Sequence, residues 1–225
     1  MTGLLILPLS YKIFNMKKSL CFIFFIAMIL RLQAQVMPQG FFVNPPGMIG
    51  SQLWTTENLA VTVFLNGDAI PNITSAGAWG ATTPQMCSYN FNAANDAIYG
   101  KLYNWYAIKD VRGVCPVGFH IPTSTEYTTL STTIGGNGGL LKEVGFTHWY
   151  SPNTGATDKY GFKALGTGYM GTSSPSGISQ STYLWTSTES AAASAYTRSL
   201  FNTDATFNQS AQGKIGGFAV RCLHD

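Results

Sequence analysis

From "GFTHWYSPNTG" (145–155) onward, Gly, Ser and Thr crowd the chain, and apolar residues come only as short islands at Phe162, Leu165, Tyr169 and Leu184-Trp185. Islands of this size among turn formers predict short strands and long loops. The second half must therefore close its core with sheet and loop. Its last stretch, "GGFAVRCLHD" (216–225), alternates Phe218, Val220 and Cys222 with Ala219, Arg221 and Leu223, and reads as a final strand.

Helical signals are confined to the first half. In "VCPVGFHIPTSTEYTTL" (114–130), Pro122 precedes Thr123-Ser124-Thr125-Glu126. This is a capping box: the Thr123 hydroxyl accepts from the Glu126 backbone N–H, and the Glu126 carboxylate reaches back. Tyr127, Leu130, Thr133 and Ile134 then trace one face of a helix that ends at "GGNGG" (135–139). Ala94, Ile98, Leu102, Trp105 and Tyr106 fall near helical spacing and predict a short helix from about residue 98, which Gly100 weakens. A further short helix is expected over "LLKEV" (140–144), and "SQLWTTENLAVTVF" (51–64) is strand-like in its Trp, Thr and Val content. No internal repeat is visible. The expectation is one α+β domain over 51–225, preceded by an extended Pro- and Gly-rich lead-in over 36–50.

Residues 1–35 read differently. Met16-Lys17-Lys18, the apolar run "SLCFIFFIAMIL" (19–30) and the small residue Ala34 form a secretory leader, with Met16 as the expected start and cleavage before Gln35 or Val36. The apolar run is too short for a bilayer, which needs about 20 residues. Without Lys12, Lys17, Lys18 and Arg31, nine of the 13 basic residues face ten acidic ones. A near-neutral chain with no basic face cannot release phosphate counterions, so nucleic acid is not an expected partner. Three cysteines remain beyond the leader: Cys87, Cys115 and Cys222. Export makes a disulfide the expectation, and the odd count leaves one over. No C-x-x-C and no paired histidines support a metal centre.

Five stretches together, "CSYNFNAANDAIYGKLYNWYA", "VCPVGFHIPTSTEYTTL", "DKYGFKALGTGYM", "YLWTST" and "GGFAVRCLHD", resemble in their order the Fibrobacter succinogenes major paralogous domain family. The resemblance spans 51–225 and implies a C-type-lectin-like fold, with two helices, short antiparallel strands and a long loop-rich second half. That fold is shared with formylglycine-generating enzymes, whose P-T-x-x-E-W helix start is similar to Pro122–Tyr127. The family is bacterial, abundant in the Bacteroidetes and Fibrobacteres, secreted or surface-attached, and without a settled activity. Its two cysteine positions at P-x-G-x-H and R-C match Cys115 and Cys222, which implies that these two are bonded; Cys87 matches a third position. Tyr127 and Met86 stand where tryptophans are common.

The candidate chemistries are weighed against this background. Cys115, His120 and Glu126 could form a nucleophile, base and orienting group. A cap role for Glu126 and an oxidised Cys115 make the corner structural instead, with no catalytic residue expected. Formylglycine generation needs cysteines in the second half, and 140–215 has none. Calcium-dependent sugar binding needs Glu-Pro-Asn-type loops, whereas Ser151 precedes Pro152-Asn153 and only Asp158 and Glu189 offer carboxylates near the corresponding loops. No cofactor is therefore expected, calcium being the one considered. Glycosidase chemistry needs two carboxylates across a cleft, and no spacing joins Glu57, Asp158, Glu189 and Asp204. The segment "ESAAASAYTRSLFNTDATFNQSAQGK" (189–214) combines small residues with Tyr and Asn, the composition of adaptable contact loops. Its candidate binding residues are Tyr196, Arg198, Phe201, Asn202, Asp204, Asn208 and Gln209. The functional expectation is an exported, non-catalytic module that binds a glycan or protein outside the cell. The alternative is a structural or assembly component of the bacterial cell envelope.

Overall fold

A computed structural model of the chain describes residues 47–225, which lie within one compact unit. The leader and most of the lead-in fall outside the described residues. The architecture is α+β. In chain order it comprises β1 (Met48–Ile49), β2 (Gln52–Leu53), β3 (Met86–Cys87), α1 (Asp96–Tyr99), β4 (Leu102–Tyr103), α2 (Trp105–Ile108), β5 (Phe119–His120) and α3 (Ser124–Thr133). Six strands or strand pieces follow: β6 (Thr167–Met170), β7 (Pro175–Ile178), β8 (Ser181–Ala191), β9 (Ser194–Phe201), β10 (Asn208–Gly213) and β11 (Leu223–His224). No described helix is long and apolar enough to cross a membrane.

The main sheet has five strands in the order β10-β9-β8-β6-β7. All its pairings are antiparallel except β6 with β8, which meet in parallel at Gly168 and Thr182. Three two-stranded pieces, β1-β2, β3-β4 and β5-β11, complete the sheet content.

The capping box forms as its spacing predicts. The Thr123 hydroxyl accepts from Glu126 N at 3.2 Å, and the Glu126 carboxylate accepts from Thr123 N at 2.7 Å. Tyr127, Leu130 and Ile134 of the predicted face are buried, whereas Thr133 is exposed and returns its hydroxyl to Thr129 O. Other helical expectations are corrected. The helix expected from residue 98 is broken into the single turns α1 and α2, because Gly100 sits at φ 74° and a Cβ there would come 2.8 Å from Leu59 O. Asn104 then restarts the helix by accepting from Ala107 N. Over 140–144 only a 3₁₀ turn forms, Gly138–Leu141. Lys142 is extended and sends its ammonium to Phe201 O and Asp204 O. The long strand expected over 51–64 shrinks to Gln52–Leu53.

The second half is more ordered than its composition suggests. β8 and β9, of 11 and 8 residues, make a long hairpin where short strands and long loops were expected. The final stretch alternates as predicted, but both its faces are buried. Ala219 and Leu223 pack in a core with Trp54, Tyr127, Trp149 and Phe162, while Phe218, Val220 and Cys222 pack in a second core with Tyr103, Trp105 and Trp185. Single bridges from Met170 to Gly217, Tyr103 to Phe218 and Leu184 to Ala219 hold it, and only Leu223–His224 pairs as a strand. It acts as a central thread between the two cores.

Candidate functional site

Cys115 and Cys222 are bonded, with Cα atoms 5.9 Å apart, so Cys115 carries no free thiol. Next to the bond, His120 sits between two carboxylates: Nδ1 is 2.7 Å from Asp225 Oδ1 and Nε2 is 3.0 Å from Glu126 Oε1. Cys115, His120 and Glu126 do meet at one corner, and each is occupied there by a structural contact. Partial burial disfavours the His120 charge, but the two carboxylates outweigh it and raise its pKa above 6.5. Burial acts on Glu126 in the opposite sense to its hydrogen bonds, and the Thr123 and His120 contacts prevail, lowering it below 4.5.

These shifts fix a pH dependence. A raised histidine adds stability at low pH and loses it as pH rises through the folded pKa. A lowered carboxylate adds stability at higher pH and loses it as pH falls through its own folded value. The corner is expected to stabilise most between about pH 4.5 and 6.5. Urea midpoints measured from pH 3 to 9 should show this bulge in the wild type and a flatter profile in His120→Gln. Superimposable profiles would refute the assignment.

The remaining cysteine, Cys87, is fully buried and unbonded, and burial pushes its thiol up to about 12. The carboxylates weighed for metal and acid chemistry are spread among separate partners. Asp158 accepts from Lys163 N at 2.7 Å, Glu189 pairs with Lys214 at 2.7 Å, and Asp204 accepts from Thr206 N at 2.7 Å. Among the described residues, no group of three or more His, Cys, Asp or Glu is placed to hold a metal ion.

The segment proposed from composition runs from the end of β8 through β9 and β10, and several of its candidate residues face inward or fasten the hairpin. Arg198 is buried, donates to the Thr128 hydroxyl at 2.8 Å and stacks 5.4 Å from the Phe207 ring. Asn202 is buried and donates to Ser151 O at 3.1 Å. Phe201 packs 5.9 Å from Tyr183, and Gln209 accepts from the Ser124 hydroxyl at 3.0 Å. Asn208 is half-buried with its amide toward Thr206 O, and Tyr196 is half-buried on β9. Arg198 and Asn202, expected as ligand-facing groups, are thus engaged by the Thr128 hydroxyl of α3 and the Ser151 main-chain carbonyl.

A concave site forms elsewhere. A groove of 420 Å³ is walled by the segment after β2 (Thr56, Glu57, Asn58, Ala60), by α1 and by Lys163 and Leu165, with His148 at one side and Arg221 contributing from the core. The walls are tied by long-range bonds. Arg221 is 1% exposed and gives Nε to Asn58 Oδ1 at 2.6 Å, Nη1 to Thr55 O at 2.8 Å and Phe162 O at 2.7 Å, and Nη2 to Lys163 O at 3.1 Å. Burial pulls its pKa down to about 10, and it stays charged at neutral pH. Asn58 in turn donates to Tyr99 O at 2.9 Å, clamping the first wall to the second. Asp96 pairs through Oδ2 with the buried Lys101 at 2.7 Å, and its Oδ1 is buried with no partner among the described residues. His148 holds Glu143 through Nδ1 at 2.7 Å and packs edge-on against Tyr99. A carboxylate on Nδ1 assigns the proton to that nitrogen and leaves Nε2 as an acceptor in the neutral ring.

Sequence reasoning singled out Glu57 but none of Asp96, His148, Lys163 and Arg221. The one available signal was the arginine beside Cys222 on a stretch whose other residues are apolar. The groove also joins Glu57 with Asp96, a pairing of carboxylates that no spacing suggested.

The chain belongs to the Fibrobacter succinogenes major domain family, whose model matches residues 48–224. No curated protein and no solved structure matches it.

Proposed function

We propose that the protein is an exported, non-catalytic binding module on a C-type-lectin-like scaffold, and that its ligand sits in the groove between α1 and the segment after β2. The observation carrying this is the groove itself: 420 Å³ falls in the range of small-ligand sites, and its walls combine polar groups with Ile98 and Leu165. The long β8-β9 hairpin and the thread bonded at Cys222 support the scaffold assignment, and the leader and disulfide support export. The proposed ligand seat is thus moved from the 189–214 segment to a concave surface with the exposed Glu57 and Lys163 on its walls.

Oligosaccharide and peptide arrays probed with the purified protein and with Ala97→Trp test this. Ala97 is exposed on the groove wall, so tryptophan fills the groove without entering the core. The expected result is array binding that drops at least about tenfold in the variant at unchanged thermal midpoint. Binding unaffected by Ala97→Trp overturns the groove assignment. A blank array favours the cell-envelope structural role, and hydrolysis of an arrayed glycan would overturn the non-catalytic reading.

A further inference from the structure

The charges around the groove are largely cancelled within the protein. Asp96 is matched by Lys101, and with the His148 ring neutral the charge of Glu143 is offset in number by Arg221, whose four contacts go to three backbone carbonyls and one amide oxygen. Glu57 and Lys163, both exposed, add one charge of each sign. No cationic excess is left to attract an anion. What is left over is hydrogen-bonding capacity of both kinds: the partnerless Asp96 Oδ1, the His148 Nε2 and the Glu57 carboxylate as acceptors, with the Lys163 ammonium and the Thr56 hydroxyl as donors. A buried acceptor without a donor costs free energy that a ligand hydroxyl would recover. The lip is cut low by Ala60, Ala97 and Gly100, and beside them Ile98 exposes an apolar side chain. Low walls, one apolar side and acceptors set beside donors suit a ring with hydroxyls on its edge and C–H bonds on its face.

We infer that the groove takes a neutral, hydroxyl-rich ligand, a sugar residue of an uncharged glycan, with Asp96 and Glu57 accepting its hydroxyl protons. This rests on the groove being the ligand seat. A carboxylated sugar or an acidic peptide would place a negative charge in a groove lined by Asp96 and Glu57, where like charges repel.

The two ligand classes give opposite signs in mutants. Titration calorimetry would use cellotriose, xylotriose, chitotriose and maltotriose as neutral probes, with trigalacturonate as the acidic one, against the full chain. At least one neutral probe is expected to bind. Its affinity should fall about tenfold or more in Glu57→Gln and in Asp96→Asn, and change less than about twofold in Lys163→Met. Because Asp96→Asn also unpairs Lys101, the exposed Glu57→Gln carries the test if the former unfolds. Trigalacturonate binding that is lost in Lys163→Met and strengthened in Glu57→Gln would overturn the inference while leaving the groove as the seat. Neutral-probe binding indifferent to Ala97→Trp would overturn both.

Discussion

Arg221→Met should destabilise the fold by about 3–5 kcal/mol, among the largest losses expected from a single side chain here. The guanidinium supplies donors to Thr55 O, Phe162 O, Lys163 O and Asn58 Oδ1, which come from segments more than 50 residues away in sequence. A methionine fills similar volume but orphans those four acceptors, at about 1–3 kcal/mol for each that water cannot reach. Part of this is returned, because the buried guanidinium carries a desolvation cost, visible in its lowered pKa. Stacking on Phe162 at 4.7 Å is lost as well. Arg221→Lys should rescue little, since one ammonium cannot reach four acceptors laid out for a planar fork. Urea unfolding at pH 7 would report the change as a lower midpoint at unchanged slope. A loss under about 1 kcal/mol would mean that the walls hold themselves and that Arg221 is incidental. The same contact links stability to the proposed binding, because Arg221 ties the segment after β2 to Phe162 and Lys163 on opposite walls of the groove.

What could be read beforehand was local. Thr123 and Glu126 are three residues apart, so their capping box needs nothing from the rest of the fold, and it forms as expected. The alternation of 218–223 was legible for the same reason. That both its faces would be buried was not, because burial depends on Trp54, Trp149 and Trp185 arriving from elsewhere. The hairpin β8-β9 was hidden by composition. Thr182, Thr186, Thr197 and Ser199 look like loop residues, yet they are buried; Thr182 meets Thr167 at 2.7 Å, and Thr186 donates to Tyr196 O at 2.9 Å. Small hydroxyl residues make a strand interior acceptable when each hydroxyl finds a partner across it, and no period in the sequence announces that. The groove was least legible of all. Glu57, Asp96, His148, Lys163 and Arg221 are brought together by the thread and by the Asn58 clamp, contacts that no window of neighbouring residues contains.

Removing the Cys115–Cys222 bond should cost about 4–5 kcal/mol, because it closes a loop of 107 residues and so removes much chain freedom from the unfolded ensemble. The folded state contributes a second reason. Cys222 ends the thread that bridges β4, β6 and β8, and Thr55 N bonds to its carbonyl at 3.0 Å. Freeing it lets the last residues fray from β5 and separates Asp225 from His120, so the pH bulge at that corner should shrink in the same variant. Cys222→Ala and the reduced wild type should therefore agree in urea midpoint, both well below the oxidised protein. Peptide mapping supplies the control: a linked Cys115–Cys222 peptide without reductant, and Cys87 unlabelled by iodoacetamide in the native state, since its thiol is buried and pushed up to about 12. A difference of less than about 1 kcal/mol between oxidised and reduced protein would show that the two cores hold the thread unaided. Closing the loop would then restrict the unfolded ensemble far less than its length implies.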